Sequence, residues 1–503
     1  MKAYVEQMDA FFNPKSVAIV GATNKKDKAG YVIFNNFVEN KRRGILKADI
    51  FPVNPNKESV LEFKSYPTVK NVPGELELVV VVVPAKHVIK IMREAAEKKV
   101  KAVVIISSGF SEIGEREAEN QVKAIAKKAG IRVLGPNCLG VYDSRTGVDM
   151  LFLPETRVLT TGDEVIATPR PMRGKIAVVT QSGAFGVAAL DYLTGRQIGV
   201  SKFVSFGNKC DVNEAEMLGY LLHDQKTEVI LLYVEDIRAG RHFLEVAKEV
   251  TKKKPIVALK CGRTIAGARA AASHTGAMAG TNAIYDAAFL QIGVVRASDM
   301  EEFFDMGKAL VMQPPASGDN VGIITDAGGP GVMAVDECEI KGIRVNRFSE
   351  KTVQKIEKLK KKGELPKFAT NLNPVDLTGS VNSRMFELVT RILLEDPQIY
   401  GIILLGLHHT PALQEDFVDK VASVAERYDK PIVACDIGET EMALHTRYRF
   451  DKLGIPAYFS PEDAARAMSA LVKYGAHLKK NGQLRKYLEI FFRNKRKSIS
   501  LTP

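Results

Sequence analysis

The stretch AAASHTGAMAG, Ala270 to Gly280, carries one imidazole, His274, among alanines, glycines and small hydroxyls. Nearly every neighbour is too small to cover the ring or to wall a large pocket. The free base of histidine is populated at neutral pH, so its nitrogen can attack phosphorus. Most lone histidines are structural or simply exposed, and the familiar metal patterns are missing here: there is no HExxH and no Cys/His set. GxSxG is absent too. QSGAFG at Gln181–Gly186 is only superficially similar, and a hydrolase triad around Ser182 has no support. The phosphorus chemistry asks for two further groups. A phosphorylated ring needs N–H donors to offset its charge. It also needs a carboxylate on the other ring nitrogen, to hold the tautomer and raise nucleophilicity. Glu235, near the end of the run VILLYVED, is the candidate, with Asp236 next in line.

Two glycine-rich turns can supply the donors. In TQSGAFGVAALDYL a strand ends at Thr180 and Ser182-Gly183-Ala184 opens an apolar helix; TDAGGPGVMAVDEC, Thr325 to Cys338, repeats the design. Helix N-termini present unpaired N–H groups and partial positive charge, which makes them ready anion sites. Taken singly, each turn is equally well a tight bend that needs positive φ. A third loop, VAIVGATNKKDKAGYVIFNN, passes from a strand through Gly21, Lys25, Lys26 and Lys28 to Gly30 and a helix. It is neither GxGxxG nor a Walker loop, and a plain strand–helix turn fits it as well; the lysines tilt it toward a phosphate-bearing ligand. The segment GRTIAGARAAASHTGAMAG itself reads as a mobile or closely packed loop, too rich in Ala and Gly to serve as core.

The elements that must carry these loops recur along the chain. Short Val/Ile runs, each followed by a Gly/Ser/Asn turn and a helical pattern, fall into three sets: SVAIVGAT to IRVLGPN, KIAVVTQSGAFG to PIVALKCG, and NVGIITDAGGPG to GIPAYFS. Apolar strands buried on both faces and alternating with helices imply parallel sheets. The fold class is therefore α/β, with three consecutive doubly wound (Rossmann- or flavodoxin-like) domains, whose ligands bind beyond the carboxyl ends of the strands. Composition shifts put the domains at 1–150, 170–311 and 318–475, with Asp163–Lys175 as a Pro/Arg linker and 476–503 as a basic tail. The tail reads as a solvated extension; an amphipathic helix for a partner or an acidic surface is the other reading.

Composition narrows the class. The chain has 503 residues, 46% of them hydrophobic, and a formal net charge of +12 with the basic residues spread out. That suits anionic ligands, and no basic–aromatic interleaving points to nucleic acid. Five cysteines stand far apart with no CxxC, which argues for a reducing compartment and against disulfides or zinc. The N-terminus is not a signal peptide, and the longest apolar run, Leu78–Pro84, is too short to span a bilayer. A cytoplasmic protein without membrane or metal is expected.

SHTGAMAGTNAIYDAAFLQIGVVRASDMEEFFD resembles the phosphohistidine segment of the NDP-forming acyl-CoA synthetases, relatives of succinyl-CoA synthetase typified by archaeal ADP-forming acetyl-CoA synthetase. The likeness reaches to about Tyr474. NPKSVAIVGATNKKDKAGYVIFNNF and GPNCLGVYD resemble the family's CoA-binding domain. QSGAFGVAALDY and FGNKCDVNEAEMLGYL resemble its second domain, and TDAGGPGVMAVDECEIKGI, NLNPVDLTGS and KLGIPAYFSPEDAARAMSALV its third. The resemblance implies that acyl-CoA, phosphate and ADP interconvert with free acid, CoA and ATP, through an acyl phosphate and a phosphohistidine. It makes His274 the phosphoryl carrier and Glu235 its support. Ser182, Gly183 and Ala184 match one phosphate-facing helix start, and Gly328, Gly329 and Gly331 the other. Gly21, Ala22, Thr23 and Lys28 match the CoA nucleotide loop. Val83, Pro84 and Ala85, then Ser107, Ser108 and Gly109, match loops along the CoA, with Pro136 and Asn137 near the thiol end.

Two positions depart from the family pattern. Ala277-Met278 stands where Ser-Leu or Ser-Met is common, and Thr281-Asn282 where Ser-Asp is common; both leave the imidazole intact. The chain after about Lys480 matches nothing in the family. No segment matches the ATP-grasp module the family needs for ADP or ATP and its Mg. The resemblance therefore implies an α-type subunit beside an ATP-grasp β chain, as an α2β2 heterotetramer. The alternative is a non-catalytic CoA- or acyl-CoA-binding protein without such a partner, against which the retained histidine and helix starts speak. A protein-acetyltransferase regulator would need a further domain. Acyl group, ADP or GDP preference and direction are not encoded in any motif found.

Overall fold

A computed structural model describes residues 2–275 and 281–499, with side chains for 4–271 and 281–496. His274 therefore lies outside the described side chains. The chain divides into two compact units, Met1–Ile292 and Gly293–Pro503.

The first unit holds two large sheets. One is wholly parallel, in the order Asp49–Val53, Ser16–Val20, Leu78–Val81, Ala102–Ile105, Arg132–Leu134. Its central strands are buried along their whole length, as their unbroken Val/Ile runs require. The order reverses between Ser16–Val20 and Leu78–Val81, so the crevice beyond that pair is where a ligand is expected. Helix Ala29–Arg42 buries Gly30, Ile33, Phe34, Phe37 and Val38, a stripe at i, i+3, i+4, i+7, i+8, and ends on Lys41 and Arg42, which suit its negative end.

The second sheet runs Ile256–Lys260, Val229–Val234, Arg173–Thr180, Val200–Ser205, Gly140–Asp143. Its last strand is antiparallel and comes from the end of the first sequence block, with Asp143 opposite Lys202 and Tyr142 opposite Phe203. Sequence pattern alone predicts a wholly parallel sheet and assigns this segment elsewhere. The register follows from the loop before it, where Asn208 N donates to Pro136 O (2.9 Å) and Cys210 N to Gly135 O (3.1 Å). A buried Lys202–Asp143 ion pair at 2.8 Å then crosses the two strands. The expected linker also contains regular structure: Glu164–Ile166 pairs with Thr156–Val158 as an exposed antiparallel ribbon.

The Ala/Gly segment expected to be a loop is instead a helix, Ile265–Thr275, which includes the backbone of His274. Alanine is the strongest helix former, and Thr264 Oγ1 caps the start by accepting from Gly267 N at 3.0 Å.

The second unit is one parallel sheet, Val375–Asp376, Gly322–Thr325, Ile402–Leu405, Ile432–Cys435, Ala457–Tyr458. Helix Pro461–Lys480 runs through the boundary expected at 475, and helix Leu484–Ile499 follows. The tail is thus not a solvated extension. Tyr487 packs edge-on against the fully buried Tyr474, ring centroids 5.4 Å apart, and Phe491 and Phe492 are half-buried. Leu484, Tyr487, Leu488, Phe491 and Phe492 share one helical face, and that face outweighs the basic composition. No described helix is long and apolar enough to cross a membrane.

Candidate functional site

The loop after Ser16–Val20 is shaped by two glycines. Gly21 has φ +99°, and a Cβ there would stand 2.3 Å from Val82 O. Gly30, in the first turn of the following helix, lies so close that its Cβ would stand 2.1 Å from Gly21 O. Strand end and helix start are therefore pressed together, and only bare backbone fits. Lys28 is the N-cap of that helix and gives it no side-chain cap, and no acidic residue occupies its first turn. Asn54 Nδ2 donates to Ala22 O at 2.8 Å and fixes the loop from behind. This is a turn suited to a phosphate.

Neighbouring strand ends extend the crevice. Val83 N donates to Ser107 Oγ at 3.2 Å, and Asn137 N donates to Ser107 O at 2.9 Å, tying three loops together. Glu112 accepts from Gly109 N at 2.5 Å and from Asn208 Nδ2 at 2.6 Å, so the first block's loops are joined to the second block's. Together they wall a cleft of about 1020 Å³. Gly21, Thr23, Lys28, Val83, Pro84, Ser107, Ser108, Asn137, Ser182, Gly183, Ala184 and Glu235 all line it. Of the sequence-predicted residues of this unit, Ala22, Ala85, Gly109 and Pro136 do not line it.

At the second sheet's end, Ser182 is the N-cap of helix Gly183–Gly195 and its Oγ accepts from Phe185 N at 3.3 Å. Glu235 is buried at 6% exposure, and Tyr233 Oη donates to its Oε1 at 3.3 Å. Burial, with Cys261 and Glu235 beside it, pushes the Tyr233 phenol above its ordinary range, so it stays a neutral donor. Gln181 holds the turn: its Oε1 accepts from Glu235 N (2.9 Å) and Asp236 N (3.1 Å), and its Nε2 donates to Asp236 Oδ1 (2.5 Å). Asp236 pairs with the buried Lys209 at 3.0 Å and with Arg238 at 3.1 Å. Burial raises its pKa, but Lys209, Gln181 and Arg238 outweigh it and hold the carboxyl below its ordinary value. Asp236 is thus committed to ion pairs with Lys209 and Arg238. Gln181, Lys209 and Asn208 carry no chemical motif in the sequence; the polar FGNK turn, after an apolar strand, is the only local signal for the last two.

In the second unit, helix Gly328–Ile340 starts at Ala327 with no side-chain cap, and a Cβ on Gly328 would lie 3.1 Å from Asp376 Oδ2. Gly328, Gly329 and Gly331 thus open an uncapped helix start, as expected. Beside it lies a carboxylate the sequence did not single out. Asp326 accepts from Leu407 N at 3.0 Å and from Thr410 Oγ1 at 3.1 Å, while His408 Nδ1 meets Asp436 Oδ1 at 2.8 Å. Burial, with Asp436 nearby, pushes Asp326 up from 3.8 to about 6. Between those values Asp326 keeps a proton in the folded chain that the unfolded chain releases, so this carboxyl's contribution to stability falls as pH rises from 3.8 to about 6 and is level above. Two pH units correspond to about 3 kcal/mol at most. Asp326→Asn keeps the acceptor and is expected to raise the urea midpoint at pH 8 but not at pH 4.

Three family models match consecutive segments: a CoA binding domain at residues 15–144, a succinyl-CoA ligase like flavodoxin domain at 173–310, and a ligase-CoA domain at 321–478. The chain is 40% identical over 479 residues to the acetate–CoA ligase (ADP-forming) I subunit alpha of Pyrococcus furiosus, covering 93% of this chain and 97% of that one. It is 37% identical over 472 residues to the II subunit alpha of the same organism, with the same coverage. A solved structure of the dinucleotide forming acetyl-coenzyme A synthetase 1 of Ca. Korarchaeum cryptofilum, in complex with phosphate and ADP, superposes with a TM-score of 0.84 at 33% identity. It covers 94% of this chain and 98% of that one.

Proposed function

Because the chain belongs to the family of ADP-forming acetate–CoA ligase alpha subunits, we propose that its cleft performs the acyl and phosphoryl transfers of that ligase. It interconverts acyl-CoA, phosphate and ADP with carboxylic acid, CoA and ATP. The observation that carries this reading is the single cleft lined by the Gly21 loop, by Asn137, by the Ser182–Ala184 helix start and by Glu235. A thioester held along the first sheet's loops would end beside an anion-binding turn of the second.

The residues fit CoA. The Gly21–Gly30 contact is a cradle that any side chain would fill, and Lys28 lines the same wall. At the other end, phosphate oxygen attacks the thioester carbonyl; the C–S bond breaks, and the thiolate leaves as CoA and takes a proton. A ring nitrogen of His274 then attacks phosphorus of the acyl phosphate, the P–O bond to the carboxyl breaks, and the free acid departs. Glu235 accepts from the other ring nitrogen and stabilises the imidazolium character of the phosphorylated ring. Amides at Ser182–Ala184 offset the charge on the phosphoryl group; Gly328, Gly329 and Gly331 of the second unit open a further uncapped helix start suited to a phosphoryl group. A terminal phosphate oxygen of ADP finally displaces the histidine.

The relatives' names as alpha subunits imply a partner subunit. In our reading that partner is an ATP-grasp β chain in an α2β2 assembly. It holds ADP or ATP with Mg, and the assembly works in the cytoplasm. The five cysteines are free, as a reducing compartment allows.

The test is direct. The purified chain, mixed with acetyl-CoA and labelled phosphate, is expected to acquire acid-labile, base-stable label. ADP should discharge it only when an ATP-grasp partner is added. Label that never forms, with or without partner, would sink the reading.

A further inference from the structure

The cleft is not polar throughout. Leu139, Val187, Phe152 and Leu153 line it together with the Ser182–Ala184 turn. Leu139 is buried at 4% exposure, and its Cγ lies 3.4 Å from where a Gly183 Cβ would stand. Val187 follows Gly183 by four residues and so projects on the same helical face. Leu139 stands two residues after Asn137, on the loop assigned above to the thiol end. Apolar side chains thus adjoin the turn where the acyl carbon must sit.

Phe152 and Leu153 come from a different place. They sit on a strap between the two sheets' sequence blocks, and both are half-exposed. The strap is tied down by polar groups at its back. Asn36 Nδ2 donates to Leu151 O at 2.9 Å, Arg170 donates to Leu153 O at 3.1 Å, and Leu151 N donates to Asp149 Oδ1 at 3.0 Å. Arg170 and Asp149 form a nearly buried ion pair at 2.7 Å. Removing either partner would strand a buried charge, so the pair holds the strap in one place. Lys28 and Arg238 are the cations on the described lining; Lys28 belongs to the nucleotide loop, and Arg238 is bound to Asp236 and Asn208 O.

We propose that the Phe152–Leu153 strap is a wall of the acyl subsite and sets how large an acyl group the enzyme accepts, with Arg170 as its positioning residue. The proposal rests on the functional reading above and deepens it. Phe152 and Leu153 meet the acyl chain by apolar contact alone. Leu139 and Val187 line the same cleft beside the Ser182–Ala184 turn. Acyl size is therefore limited by the strap's bulk and by how firmly Arg170 holds it.

The experiment uses the full chain with acetyl-CoA, isovaleryl-CoA and free CoA. Rates of label transfer from phosphate are measured with each thioester, and affinity with free CoA. In Phe152→Ala and Leu153→Ala the isovaleryl-to-acetyl rate ratio should rise about tenfold, the scale a pocket gives for small apolar differences. Free CoA affinity should stay within about twofold, since a pocket wall discriminates only what touches it. Arg170→Lys, which retains charge but loses the fork geometry, should move the same ratio in the same direction, an effect general loosening would not confine to the acyl group. An unchanged ratio, or an equal fall in free CoA affinity, would overturn the assignment and make the apolar wall a pantetheine contact. Failure of wild type to bind CoA at all would instead overturn the functional reading beneath it.

Discussion

His274→Ala is expected to abolish phosphoryl labelling of the chain from acetyl-CoA and phosphate, by on the order of a thousandfold or more, the scale on which loss of a covalent nucleophile is felt. CoA affinity should be unchanged. The two readouts separate because the groups lie on different elements. In the proposed reading CoA is held by the Gly21 loop and the first sheet's strand ends, while the backbone of His274 belongs to the helix Ile265–Thr275. Acyl phosphate formation needs no imidazole nitrogen, so the variant should still release CoA slowly from acetyl-CoA and phosphate. Label that survives the substitution would remove the carrier role outright.

Gly30→Ala is expected to weaken CoA binding about a hundredfold. Two effects oppose each other here. Alanine in place of glycine within a helix ordinarily stabilises by about 1 kcal/mol. Against that, the new methyl would stand 2.1 Å from Gly21 O, a backbone atom that cannot rotate away. Forcing a methyl into a full space costs about 1–3 kcal/mol, taken up by moving the loop off the helix start. In the proposed reading the loop that moves meets the nucleotide phosphates of CoA, so the loss appears as affinity and not as unfolding. Isothermal titration with CoA, alongside a melting curve near that of wild type, checks this. Undiminished affinity would mean that Gly21 and Gly30 shape no ligand site.

Much of this was readable beforehand, for a physical reason. Runs such as Val229–Val234 and Ile402–Leu405 are buried on both faces, so their composition alone marks a parallel core strand. Where such a run ends in Gly or Ser, the loop at the carboxyl end follows, and Gly21, Ser182 and Gly328 all fall at such ends. What escaped depended on partners distant in sequence. Gly140–Asp143 is too short to announce its direction; Lys202 and the Asn208 loop decide it. Small residues at 265–275 suggest looseness, whereas alanine's helix preference with Thr264 at the front specifies a helix. The tail's charge suggests solvation, but its aromatic face against Tyr474 governs its placement. Gln181 opens the QSGAFG run with no role of its own legible there, and Asp149 lies in no motif. Their importance comes from what folding brings within reach: two amides for one, a guanidinium for the other.

The strand Gly140–Asp143 has a wider consequence. A polypeptide that lends an edge strand to its neighbour's sheet cannot be cut into interchangeable modules at the obvious place. Severing the chain within the exposed Thr156–Ile166 ribbon would leave the amino-terminal piece still stitched into the other's β-ladder, as the bound half of a split protein. The seam between the first two sequence blocks is therefore woven, not hinged, and any chimera that swaps one half must carry this short borrowed strand along with it.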